Sequence, residues 1–93
     1  MRIFLDAGHS GSIEPGACYF NLRECDVALK IALRTGRALI ERGIDATHYR
    51  AGDITSTSLT ERARNANEWR ADFLAENDGK WLKDIREYLR TAK

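Results

Sequence analysis

Two side chains stand out as a pair that could do chemistry together. His9 follows the first apolar run, between Gly8 and Gly11, and Glu24 comes fifteen residues later at the start of a helical pattern. An imidazole and a carboxylate are two of the three protein ligands in a common catalytic zinc set. In open α/β sheets, ligands bind beyond the carboxyl ends of the strands, where this spacing puts both residues. The same spacing suits a surface histidine beside a helix-capping glutamate, because two ligands alone do not define a zinc site. The other histidine, His48, is a candidate third ligand if its strand end turns toward His9; otherwise it is a satisfied or half-exposed strand residue. Cys18 and Cys25 have six residues between them and form no CxxC motif, so reduced, separate thiols are expected. Cys25, next to Glu24, could approach a metal as thiolate or fill a small apolar site. Glu76 and Asp78 carry carboxylates that a metal could use, with no spacing that demands it.

These residues need elements to hold them. Arg2-Ile3-Phe4-Leu5 is a short β-prone run closed by Asp6-Ala7-Gly8, which reads as a buried strand. Gly8, Gly11, Pro15 and Gly16 then mark a long loop, a common setting for a site. From about Glu24 to Arg42 the period is helical, with Val27, Ala28, Leu29, Ile31, Ala32, Ala38 and Leu39 on one broad face and Gly43 as the stop. Gly36 inside this helix suggests close packing on a sheet. Ile44 to Tyr49 is a second strand, and Ser58-x-x-Glu61 is a capping box that opens a second helix toward Trp69. The order β-α-β-α implies a parallel sheet. After the turn signal Asn77-Asp78-Gly79, Trp81, Leu82, Ile85, Tyr88 and Leu89 recur at helical spacing among lysines and arginines. The expectation is one α/β domain over residues 1–93. It consists of a small parallel-sheet half-domain, residues 1–73, then a short connection and a C-terminal amphipathic helix, residues 74–93. Phe73-Leu74-Ala75 is the only candidate for a third strand.

Fifteen basic and fourteen acidic residues leave a net charge of +1, which argues against a nucleic-acid binder. No apolar stretch approaches the roughly 20 residues that span a bilayer. Met1 leads straight into the first strand and no signal peptide is visible, so the expected location is cytoplasmic as made, or the cell wall if the protein is of lysin type.

Read together, Ile3-Phe4-Leu5-Asp6-Ala7-Gly8-His9-Ser10-Gly11 and Glu14-Pro15-Gly16-Ala17 resemble the opening of the zinc-dependent N-acetylmuramoyl-L-alanine amidases, which are cell-wall hydrolases. Leu22-Arg23-Glu24 with Val27 and Leu29 resembles the family's next element, a glutamate opening a long helix. Arg50-x-x-Asp53 resembles its Thr-Arg-x-x-Asp. Leu59, Arg62, Ala66-Asn67 and Ala71-Asp72 resemble its Leu-x-x-Arg-x-x-x-Ala-Asn-x-x-x-Ala-Asp helix. The likeness runs from residue 1 to about 73. It implies that His9 and Glu24 are zinc ligands, that Arg50 and Arg62 pair with Asp53 or with loop carbonyls, and that the substrate is peptidoglycan, cut between N-acetylmuramic acid and L-alanine.

The chain departs from the family where a Ser-Ile-His should follow Ala-Asp; here Phe73-Leu74-Ala75-Glu76-Asn77 follows Asp72. The family's catalytic glutamate has no match either. The expectation is therefore an amidase-derived domain with weak or absent hydrolysis, from a truncated, chimeric or engineered chain. The alternative is a non-catalytic α/β fragment that folds and self-associates through open sheet edges or its tail helix. A third reading has the basic tail meet a membrane surface or a partner helix.

Overall fold

The computed structural model describes residues 1–55 and 58–77. Strand β1 (Arg2–Ala7) is central. It pairs in parallel with β4 (Asp45–His48) on one side and β5 (Phe73–Asn77) on the other, giving the order β4-β1-β5. A separate antiparallel hairpin, β2 (Cys18–Tyr19) with β3 (Leu22–Arg23), interrupts the long loop. Helices α1 (Glu24–Glu41) and α2 (Leu59–Glu68) complete the fold.

Side chains alternate across β1 and so decide what covers each face. Leu5 and Ala7 pack with Ala28 and Ala32 of α1, and Ile3, Leu29, Leu39 and Ala46 extend that core. Phe4 points the other way, against Tyr49 and Trp69 at ring-centroid distances of 6.4 and 6.3 Å. Asp6 also faces that side and meets Arg62 of α2. A central strand covered on both faces is the arrangement its unbroken apolar run calls for.

Helix α1 has no side-chain cap. Its first free N–H groups are taken by the loop instead: Glu24 N donates to Ala17 O and Cys25 N to Pro15 O, at 2.9 and 3.0 Å. The loop thereby fixes where Glu24 begins the helix. At the other end Gly43 adopts φ +76, the left-handed turn that closes a helix. Gly36 is where α1 touches the sheet: a Cβ there would stand 2.6 Å from His48 Nε2 and 3.1 Å from Leu5 Cδ1. Ser58 caps α2 by accepting from Glu61 N at 3.2 Å.

The parallel sheet and its two helices agree with the sequence reading. The sheet goes one strand further than expected. Residues 74–77, read as the start of a connection, continue a five-residue strand from Phe73, in register with Ile3 to Ala7. Ile31, placed on the buried face of α1, is 39% exposed, because no element covers that flank among the described residues. The expected tail helix lies outside the described residues.

Candidate metal-binding cleft

Beyond Ala7 the chain turns sharply. His9 takes φ +62, a left-handed conformation that non-glycine residues seldom adopt. Strain of this kind, on the order of 1–3 kcal/mol, persists only where the surroundings over-determine it. Two buried arginines do so. Arg62 donates to His9 O at 2.8 Å and to Ala7 O at 3.0 Å, and forms a buried ion pair with Asp6. Arg50 donates to Ala7 O, Gly8 O, Gly52 O and Cys25 O. Its bonds to Gly8 O and Cys25 O, at 2.6 and 2.9 Å, tie the histidine loop to the first turn of α1. Together with the loop's own bonds to Glu24 and Cys25, this guanidinium holds His9 and Glu24 in place.

The two residues do meet. His9 Nε2 lies 3.9 Å from Glu24 Oε1. Glu24 is buried, and the same oxygen accepts the Ala17 N–H. Gly16, at φ +73, makes room for the ring, since a Cβ there would lie 2.6 Å from His9 Nε2. On the far side of the imidazole, His9 Nδ1 is 3.0 Å from Glu14 Oε1. With Nδ1 donating to that carboxylate, Nε2 keeps its lone pair, yet Nε2 is buried and has no hydrogen-bond partner. A buried acceptor left unpaired is costly and points to a ligand. Carboxylate, imidazole and an open ring nitrogen are the parts of a metal-ligating histidine with its orienting partner. Glu14 was quoted in the sequence only as part of a motif; its place in the His9 loop gave no signal of that contact.

An open cleft of about 660 Å³ leads to His9, lined also by Asp6, Glu14, Arg62, Glu76 and Asn77. Burial pushes the Asp6 carboxyl up, with Arg62 working against it and Glu76 with it. Glu76 enters this cleft because β5 pairs it directly opposite Asp6.

Other candidates lie elsewhere. His48 packs against Gly36, twelve residues or roughly 18 Å along α1 from Glu24, and burial holds its imidazole below the usual histidine range. The structure does not bring it to His9. Cys25 is buried, and that burial, with Asp26 beside it, pushes its thiol up, so it fills space rather than offering a thiolate. Cys18 is exposed, and both cysteines are free thiols. Asp78 lies outside the described residues. Among the described residues no group of three His, Cys, Asp or Glu side chains is placed to hold a metal ion. Both arginines bind loop carbonyls as expected, and Arg62 adds an ion pair with Asp6. Asp53 instead accepts from Ser12 N at 3.3 Å and fills the space beside Gly11.

Comparison with known proteins places the fold in a family. The sequence profile of the N-acetylmuramoyl-L-alanine amidases (Amidase_3) matches residues 3–76. A sporulation-specific N-acetylmuramoyl-L-alanine amidase of Bacillus subtilis is 39% identical over 75 residues, which are 78% of this chain and 29% of that protein. Among solved structures, an N-acetylmuramoyl-L-alanine amidase of Nostoc punctiforme superposes with a TM-score of 0.73 at 28% identity, over 82% of this chain and 42% of that one. One from Clostridium difficile gives 0.71 at 33% identity, over 81% and 41%. The chain thus spans less than half the length of each of these relatives.

Proposed function

The chain belongs to the N-acetylmuramoyl-L-alanine amidase family, and on that premise we propose that it is a zinc-binding, peptidoglycan-directed domain whose metal pair is His9 and Glu24. The observation that carries the reading is the buried, partnerless Nε2 of His9, 3.9 Å from Glu24 Oε1 and oriented through Nδ1 by Glu14. These two donors fit the ion in type and in the open position they leave. When bound, zinc supplies a Lewis acid for the amide carbonyl and lowers the pKa of a water.

The protein's own contributions are positional. Glu14 fixes the tautomer and plane of His9. Arg50 and Arg62 hold the loop carbonyls, so the imidazole and Glu24 are preorganised before any substrate arrives. The cleft between His9 and Glu76 gives an extended glycopeptide a place to lie. The bond in question is the amide between N-acetylmuramic acid and L-alanine, and the place of action is the cell wall. Among the described residues no helix is long and apolar enough to cross a membrane. Hydrolysis by the isolated 93-residue chain is weak or absent, because its sequence has two histidines and one of them, His48, sits under α1.

Zinc stoichiometry and affinity on purified protein test the reading, with Glu24→Gln and His9→Ala alongside. Glu24→Gln keeps an acceptor for Ala17 N–H. The expected result is zinc binding lost or much weakened in both variants with the fold intact; equal affinity in all three proteins overturns it. Strong cell-wall release by the monomer, abolished by His9→Ala, would instead remove the claim of weak hydrolysis. A second reading, a non-catalytic domain that self-associates, is favoured by the flank of β5, which no element covers among the described residues and where Phe73 is 58% exposed. Molecular mass in the zinc-binding buffer separates the two.

A further inference from the structure

The hairpin that delivers the chain to Glu24 ends in a feature the metal pair does not need. Its two-residue turn, Phe20-Asn21, has φ +52 and +61, the mirror-image turn that favours Asn-Gly. A bulky aromatic at positive φ is a steric outlier, and glycine would serve the turn better. Burial does not repay that strain, because Phe20 is 69% exposed. The ring does not hold the fold together.

Its surroundings suit a particular ligand. Half-buried Tyr19 lies against it, ring centroids 4.1 Å apart and planes tilted by 45°, so Tyr19 backs the exposed Phe20 ring. Neither the Tyr19 hydroxyl nor the Asn21 amide has a hydrogen-bond partner among the described residues. Leu22, paired opposite Tyr19 in the hairpin and 42% exposed, extends the apolar area. An exposed aromatic face with free hydroxyl and amide groups at its rim matches a pyranose ring: axial C–H groups for the face, hydroxyl and acetamido groups for the rim.

We infer that the Tyr19-Phe20-Asn21 hairpin tip is a binding platform for the glycan strand, holding a sugar away from the bond at the metal pair. The inference rests on the peptidoglycan reading above. Phe20 lies across the turn, at most roughly 13 Å of chain from Glu24 and outside the lining of the His9 cleft, so the platform engages a sugar beyond the muramoyl unit at His9. Arg23 of β3 runs directly into α1, so the hairpin joins the platform to Glu24 with no intervening loop.

The test uses a peptide-free N-acetylglucosamine oligosaccharide without metal, which contains no muramoyl–alanine amide, so its outcome is independent of zinc binding. Titration by NMR of the 93-residue protein should shift the Tyr19, Phe20 and Asn21 signals. Phe20→Gly should weaken binding about tenfold while its Tm stays equal or rises, since glycine relieves the turn. Phe20→Tyr should keep the affinity. Absence of binding, or equal binding by Phe20→Gly, overturns the platform. So does a molecular mass that falls on Phe20→Gly with no glycan binding, which would assign the tip to contact between copies.

Discussion

The His9 loop and strand β5 flank the same central strand but are held by opposite means. The loop has little regular structure, and two buried guanidiniums fasten its carbonyls at Ala7, Gly8 and His9. β5 has a full set of ladder partners on β1, yet Phe73 is 58% and Leu74 36% exposed. The opposite edge, β4, lies under α1 with His48 wedged against Gly36. The irregular segment is the over-determined one, and the regular strand is the one its own side chains barely secure. Strain is affordable at His9 because specific side chains were placed to hold it.

Removing one of those clamps should have the largest effect on this contrast. Arg62→Ala leaves Asp6 buried without its cation and frees the carbonyls of Ala7 and His9. Breaking a buried pair from one side costs about 3–5 kcal/mol, a large share of a small domain's stability. The loss should shrink on acidification. Burial already raises the Asp6 carboxyl, and losing Arg62 raises it further, so the folded variant takes up a proton that the unfolded chain does not. Urea unfolding of both proteins at pH 7 and pH 5 checks this; a penalty below about 1 kcal/mol would mean that the clamp does not hold the loop.

The covered edge can be tested by overfilling it. Gly36→Ala drives a methyl to within 2.6 Å of His48 Nε2, with Leu5 just behind. The expected cost is about 1–3 kcal/mol, despite alanine's better helix propensity. Gly36→Ala combined with His48→Ala should recover much of it, and no recovery would place the strain elsewhere.

This contrast also explains what the sequence could show. The His9 loop was legible because its determinants are side chains of unusual type at fixed spacing: a histidine between glycines, Pro15-Gly16, and two arginines on later elements. Helix α1 was legible from its period and Gly43. β5 was nearly missed, because a strand paired through its backbone to a buried neighbour needs no alternating pattern of its own, and Phe73-Leu74-Ala75-Glu76-Asn77 has none. Glu76 is legible in the sequence only as a carboxylate a metal could use, since its place in the cleft follows from register with Asp6. Arg62 reaches the loop carbonyls its motif implies, and its added ion pair with Asp6 is hidden in the sequence because Asp6 sits inside a strand whose apolar run conceals it.

A smaller effect should appear at His48. Burial holds its imidazole below the ordinary value of 6.5, so the unfolded chain binds the proton more readily than the folded one. Stability from this group is present above about pH 6.5 and is lost as the pH falls through the lower folded value. His48→Gln should flatten the decline in Tm between pH 7 and pH 5 relative to the parent protein. Parallel curves would show that the wedge under α1 accepts the charged ring.

The smallest effect should come from the bare flank. Phe73 keeps more than half its surface in water, so Phe73→Ser removes little burial, and its backbone bonds to Ile3 remain. Exposed substitutions of this kind usually change stability by no more than about 0.5 kcal/mol. A loss above about 2 kcal/mol would put Phe73 in the range of buried aliphatic truncations and show the flank to be covered in solution. Concentration dependence of the unfolding midpoint would then assign the cover, because a second copy makes stability rise with protein concentration and chain beyond Asn77 does not. In either case β5 would become as firmly secured as the His9 loop, and the difference between them would lie in which part of the protein supplies the side chains.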